Sequence, residues 1–319
     1  HHSMLRRLES ITYTFFLFLT PLLVTSFLKE LFEFPKVNFL YFVTGVLILL
    51  SGWRTNFKTT NFNQNFQQKL ILGSLLLIFI SNLISLAFTS SYYTSLFGYY
   101  TRFNGGLASI LCIIILISLL IGRNLDKNAI NQLLFTILIS GLIISIYAIL
   151  QKAGIDKNFW NEDASHRVFS TLGQPNWLAA YLIPIFYLAL YFGFQFKIHV
   201  IFKFVPALMV YFAILFTYSI SGIFAFAISL LIYILLNFGP LKKTVKKYWH
   251  VLIILFVLTC AAAIPLKDRI INQMDNMYGI FNLLQSDESQ NLKANYGDTG
   301  KIRLILWDGP LNLITSSAK

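Results

Sequence analysis

The stretch His166-Arg167-Val-Phe-Ser-Thr-Leu-Gly173-Gln174-Pro175-Asn176-Trp-Leu-Ala-Ala-Tyr181 is a polar turn that runs directly into an apolar segment. Gly173 supplies a tight bend. Pro175 suits the first turn of a helix, where its missing N–H would have no partner in any case. The apolar run continues to about residue 196, long enough as a helix to cross a ~30 Å hydrocarbon core. A His-Arg pair at the lip of such a helix is costly against lipid unless it faces water or binds something. The stretch reads as the anion-binding edge of a site whose scaffold is a set of membrane helices.

Composition agrees with that scaffold. The 319 residues are 56% hydrophobic, 16% aromatic and only 12% charged, with a mean hydropathy of +0.67. A soluble domain of this balance would aggregate, so the fold class is all-α, a polytopic transmembrane helix bundle. The apolar runs are continuous rather than alternating, which excludes an outer-membrane barrel. Nine such runs are found, at roughly 11–28, 37–53, 69–88, 104–121, 130–150, 176–196, 199–218, 221–237 and 249–266. Very short turns join 176–196 to 199–218 and 199–218 to 221–237, so these should pack as antiparallel neighbours. Pro21, Pro184 and Pro206 fall inside spans and should bend them. Residues 1–3 read as a tag remnant, 4–266 as the bundle and 267–319 as an extracytoplasmic loop with amphipathic helices. That loop has no closing element, so the chain reads as part of a longer protein.

The net charge of +12 does not mark a nucleic-acid binder, because the basic residues sit in short loops between the spans. With a cytoplasmic N-terminus, 13 Lys and Arg fall on that side, among them Arg6, Arg7, Arg54, Arg123 and Lys127. Opposite them stand 6, namely Lys29, Lys36, Arg102, Lys152, Lys157 and Arg167, diluted by Glu30, Glu33, Asp156, Glu162 and Asp163. The positive-inside rule therefore keeps the N-terminus in the cytoplasm. Loops 89–103 and 151–175, with everything after about 267, then share the outer side. Residues 54–68, with spaced Phe, form a cytoplasmic loop lying at the interface, and Tyr92, Tyr93, Tyr99 and Tyr100 mark the outer membrane–water boundary. Cys112 and Cys260 both lie in apolar runs and read as small core residues rather than a disulfide or metal pair.

The candidate chemistry lies on that outer side. The guanidinium of Arg167 matches phosphate oxygens and could hold a lipid-linked diphosphate; it could equally contact headgroups or pair with Glu162 or Asp163. His166 is either a base or a hydrated loop histidine. Arg303, four residues before Trp307 on an expected helix at about 301–316, could stand opposite Arg167, or be a solvated arginine beside an interfacial Trp. Arg102 precedes Asn104-Gly105-Gly106, which could start the next helix with close approach; a headgroup-binding arginine accounts for it nearly as well. Gln174 and Asn176 could bind sugar hydroxyls or cap the helix starting at Pro175. The acidic pairs Glu162-Asp163 and Asp287-Glu288 lack an Asp-x-Asp pattern or a neighbouring His, so no metal site is expected. Signatures of a P-loop, dinucleotide fold, zincin or nucleophile elbow are absent from the sequence.

Three features, namely Arg167-Val-Phe-Ser-Thr-Leu-Gly-Gln-Pro175-Asn176-x-Leu-Ala-x-Tyr181, Arg303-x-x-x-Trp307 and a large loop after a ninth span, resemble the O-antigen ligase and polymerase superfamily. These are bacterial envelope proteins that include protein O-oligosaccharyltransferases, and the resemblance covers about residues 100–319. It implies a glycosyltransferase-C-like enzyme of lipopolysaccharide or related polysaccharide biosynthesis, multi-pass in the bacterial inner membrane. The implied reaction moves a glycan from undecaprenyl diphosphate to an acceptor hydroxyl on the extracytoplasmic face, without metal or other cofactor and with inversion. Arg167 and Arg303 match family arginines that engage the diphosphate, with Arg102, His166, Gln174, Asn176 and Trp307 as substrate-binding candidates. The partners implied are the lipid-linked donor, a glycan, lipid or protein acceptor, and membrane lipids, with no nucleic acid. The sequence departs from the family in two ways. Members carry further spans after the loop, and their proposed catalytic histidine lies further along that loop than this sequence reaches. Many show Ser-Arg-Gly where this chain reads Tyr218-Ser-Ile-Ser221-Gly222. The expectation is ligase rather than polymerase. A lipid-linked glycan transporter or flippase is the rival class, which would need charges deep in the spans and inverted repeats.

Overall fold

A computed structural model describes residues 2–27, 30–55, 65–100, 102–123, 125–160, 164–195 and 200–237. Among these there are nine α-helices, two short 3-10 turns and no strand. The helices are α1 (His2–Leu19), α2 (Glu33–Thr55), α3 (Phe66–Ala87), α4 (Tyr92–Phe97), α5 (Leu107–Ile121), α6 (Lys127–Lys152), α7 (Pro175–Gln195), α8 (Val200–Phe216) and α9 (Ile220–Leu236). Four of them, α2, α3, α6 and α7, are long and apolar enough to cross a membrane. Helices α5, α8 and α9 are apolar but shorter. The expected segment 249–266, the loop 267–319, Cys260, Arg303, Trp307, residues 56–64 of the expected 54–68 loop and both expected acidic pairs lie outside the described residues.

The first span differs from expectation. The apolar run 11–28 suggested a helix through that interval, yet α1 starts at His2, so the presumed tag residues His2 and Ser3 belong to its first turn. It ends in a 3-10 turn, Thr20–Leu22, that contains Pro21. Hydropathy alone misplaces it because the true first turns are charged. Glu9 is nevertheless buried, 2% exposed, and pairs with Arg123 at 3.5 Å, so the charge is matched inside the bundle. By contrast, α7 and α8 run through Pro184 and Pro206 without a break. Short α4 falls within the tyrosine-rich boundary stretch, and Tyr92, Tyr93, Tyr99 and Tyr100 are all more than half exposed.

Two packed groups make the core. Tyr13 of α1, Leu40, Val43 and Leu47 of α2 and Leu116 of α5 form one, and the Tyr13 hydroxyl donates to the Leu116 carbonyl at 2.9 Å. The second joins α6, α7 and α8, with Ile144, Leu178, Leu182, Ile185, Val210 and Ile214 almost fully buried. Small residues allow the close approach that lipid-embedded helices need. A Cβ on Gly141 would lie 2.6 Å from Ile185 Cγ2. Helices α7 and α8 pack extensively, as their short connection requires. Helix α9 approaches α7 closely at Gly222, where a Cβ would overlap Ala179 Cβ, and its Phe226 ring lies edge-on to Phe186 at 4.9 Å and 5.8 Å from Tyr211. The chain divides after Ile228, and beyond that point residues 229–237 are described as the last turns of α9.

The loops sort to two ends. Arg123 donates to the Arg6 carbonyl at 3.1 Å, joining the α5–α6 connection to the start of α1. At the other end, Thr171 donates to the Pro21 carbonyl at 2.7 Å, and Arg102 reaches Glu33 at 3.4 Å. Loops 88–106 and 153–174 therefore meet around the α1–α2 corner.

Candidate functional site

The site is the 153–174 loop and the helix starts it touches. Helix α6 stops because Gly154 takes φ 84, a left-handed conformation that glycine adopts without strain. Asp156 then gathers the loop. Its Oδ2 accepts from the Tyr147 hydroxyl at 2.7 Å, Gln151 Nε2 at 2.8 Å and Trp160 Nε1 at 2.5 Å. Burial alone would raise this carboxyl's pKa, but the three donors outweigh it and hold the group below its ordinary value. Gln151, fully buried, also accepts from the backbone N–H of Phe169 at 3.2 Å and of Ser170 at 2.8 Å. One side chain thus fixes both the start and the end of the loop.

The segment after Ser165 is pinned from several sides. Val168 N–H donates to the Phe216 carbonyl at 3.3 Å, and Lys152 Nζ donates to the Ser165 carbonyl at 2.8 Å. Lys36 Nζ donates to the Thr171 carbonyl at 2.7 Å. Gly173, at φ 76, packs so tightly on the Phe32 ring that a Cβ would overlap it. Phe32 in turn stacks on Trp160 at 5.3 Å. The turn expected from Gly173 and the helix start expected from Pro175 are both present.

Arg167 lies half-buried on this frame. Its Nε donates to the Thr217 carbonyl and its Nη2 to Asn176 Oδ1, both at 3.3 Å. The Asn176 carboxamide is therefore turned toward the guanidinium. One residue on, the Trp177 ring lies 5.6 Å beneath the guanidinium of Arg102. Two arginines from different loops thus converge on the first turn of α7, where the helix N–H groups already favour negative charge. Lys152 adds a third cation nearby, 4.7 Å over the Tyr218 ring. Gly106 caps α5 behind Arg102, and a Cβ there would meet the Gly98 backbone. His166 is exposed, and the buried Gln174 Oε1 has no hydrogen-bond partner.

The structure therefore brings Arg167, Asn176, Trp177 and Arg102 together, with Gln174 beside them in the chain. Arg303 and Trp307 lie outside the described residues. Sequence reading missed Gln151, Asp156 and Lys152 as supports of the loop. Their one sequence signal is that a Gln-Lys pair closes a long apolar run. The short turn expected between 218 and 221 is present, with Tyr218 at φ 46, but the Thr217 carbonyl within it was missed as the partner of Arg167. Among the described residues no group of three or more His, Cys, Asp and Glu could hold a metal ion. Comparison with protein-family models, curated proteins and solved structures returned no match.

Proposed function

We propose that this chain is a membrane glycosyltransferase that takes a glycan from undecaprenyl diphosphate and passes it to an acceptor hydroxyl outside the cytoplasmic membrane, as O-antigen ligases do. The observation that carries the reading is the convergence of Arg167 and Arg102 on the first turn of α7. A diphosphate is the group that such a cationic, donor-rich rim at a membrane boundary suits best. In the reaction, the acceptor hydroxyl oxygen attacks the anomeric carbon, the bond from that carbon to the diphosphate oxygen breaks, and the hydroxyl proton passes to the departing diphosphate or to solvent. The charge that develops on the leaving oxygen is stabilised by Arg167, with Arg303 as its expected partner. Asn176 and the Thr217 carbonyl keep the Arg167 fork in place, and Trp177 supports Arg102.

The test mixes the purified chain in membranes with an undecaprenyl-diphosphate oligosaccharide and an acceptor glycolipid, with and without EDTA. Release of undecaprenyl diphosphate with transfer of the glycan, insensitive to EDTA, supports the reading. Arg167→Ala should lower transfer by at least about a hundredfold, the effect of removing one donor aimed at developing charge, while the protein remains folded in membranes. Wild-type transfer by Arg167→Ala removes the clamp. Passage of labelled donor across the bilayer without consumption makes the chain a transporter instead.

A further inference from the structure

A second candidate site lies at the other end of the bundle. Helices α1 and α6 start side by side there, because Arg123 donates to both the Arg6 carbonyl and Ser10 Oγ. On their outer side runs an open groove of about 550 Å³. Its walls are Arg7, Ile11, Phe15 and Phe18 of α1 and Phe135 and Ile139 of α6. Positions 7, 11, 15 and 18 share one helical face. Ser10, Thr14, Gln132 and Thr136 supply its polar lining, and the two threonines are turned onto their own helices. Thr14 and Thr136 each donate to their own helix at 2.9 Å, to the Ser10 and Gln132 carbonyls.

Length and charge together identify the occupant. From Arg7 to Phe18 the groove follows α1 for roughly 16 Å at 1.5 Å per residue. That is about half of a ~30 Å hydrocarbon core, the depth of one leaflet. Its apolar part, Ile11 to Phe18, runs for roughly 10 Å at 1.5 Å per residue, enough to seat the first half of one acyl chain, and its mouth stands at the charged end of the two helices. The mouth carries Arg7, which is exposed. Glu9, the nearby carboxylate of α1, is turned inward onto Arg123. Among the described residues no carboxylate reaches Arg7. An apolar peptide could fill the walls but would leave this guanidinium unmatched, whereas a phosphate at that depth matches it.

We propose that the α1–α6 groove binds one anionic glycerophospholipid of the leaflet at the Arg6–Arg7 end, its phosphate on Arg7 and one acyl chain along Ile11, Phe15, Phe18, Phe135 and Ile139. This site is independent of the glycan donor, which the proposed activity places at the opposite end.

The experiment uses the full chain in phosphatidylcholine nanodiscs containing a minor fraction of phosphatidylglycerol with a photoactivatable acyl chain. Labelling should concentrate on the peptides around Phe15 and Phe135. Arg7→Gln should reduce it about fivefold, the contribution of one arginine to anionic-lipid attraction. Lys127→Gln, exposed at the same end but outside the groove, should leave it unchanged. An equal fall in both variants would mean diffuse surface attraction and overturn the site. So would equal labelling by a phosphatidylcholine probe, or labelling spread evenly along α3. A disulfide between Phe15→Cys and Cys260 would show that the chain fills its own groove, and would overturn it too.

Discussion

Helices α3 and α7 are of nearly equal length, and α3 is the more apolar of the two. Yet no residue of α3 is buried, whereas α7 buries Leu178, Ala179, Leu182, Ile185, Ala189, Phe192 and Gly193. In water the more apolar helix would be the core. In lipid, apolarity carries no drive toward other helices, and association depends on close packing and polar contacts between them. Helix α7 has both. Gly193 meets the backbone at Lys203, and its Tyr181 hydroxyl lies 3.2 Å from Ser140 Oγ. Helix α3 offers Gly73, with open space around it, and Asn82, which donates to its own helix at the Ile78 carbonyl. What makes a helix central here is the fit of its small and polar residues.

That contrast can be broken by matched substitutions. The largest effect should come from the polar pair Gln151→Leu and Asn82→Leu. The first leaves the N–H groups of Phe169 and Ser170 without a buried acceptor and should cost about 3 kcal/mol. The second should be neutral within about 0.5 kcal/mol, both read by unfolding in mixed micelles. Equal losses would mean that α3 is packed after all. Next come Gly222→Ala and Gly73→Ala. A Cβ on Gly222 would overlap Ala179 Cβ of α7, so about 1–3 kcal/mol should be lost. Gly73→Ala should be neutral or slightly stabilising, and thermal unfolding of the two proteins in the same detergent decides between these outcomes.

The smallest effect concerns acid. Asp156, at the head of the loop leading to α7, has its pKa held below the ordinary 3.8, so the fold favours the ionised carboxylate. Its contribution is fully present above pH 3.8 and is lost as pH falls through the lower folded value. Asp156→Asn should flatten that part of the stability–pH curve. Helix α3 carries Lys69 and no carboxylate, so it should contribute nothing to the curve in this range. An unchanged acid limb in Asp156→Asn would show that the three hydrogen bonds do not govern the loop.

The sequence was most legible where lipid dictates the answer. Continuous apolar runs located α2, α3, α5, α6, α7, α8 and α9 to within a few residues, because backbone groups in hydrocarbon must be satisfied within a helix. It failed at α1, where a buried Glu9–Arg123 pair hid helical turns and the apolar residues after Pro21 mimicked a continuation. Gly173 and Pro175 disclosed the turn before α7, since both act through local backbone geometry. The partners of Arg167 were not legible. Thr217 is 50 residues away and offers a carbonyl, which no side-chain pattern announces. Gln151 was hidden for the same reason, since its acceptor oxygen serves amides 18 and 19 residues on.

The α1–α2 corner has a meaning for biosynthesis. Pro21, Phe32 and Lys36 form the surface on which Thr171 and Gly173 rest, and Thr171 bonds to groups 135 and 150 residues earlier in the chain. A protein made from its N-terminus places that corner in the membrane well before the ribosome reaches the loop. The loop is thus delivered onto a mould that already exists. A defect at Pro21 or Phe32 should therefore appear first as a late failure in assembly, after the early helices have inserted normally.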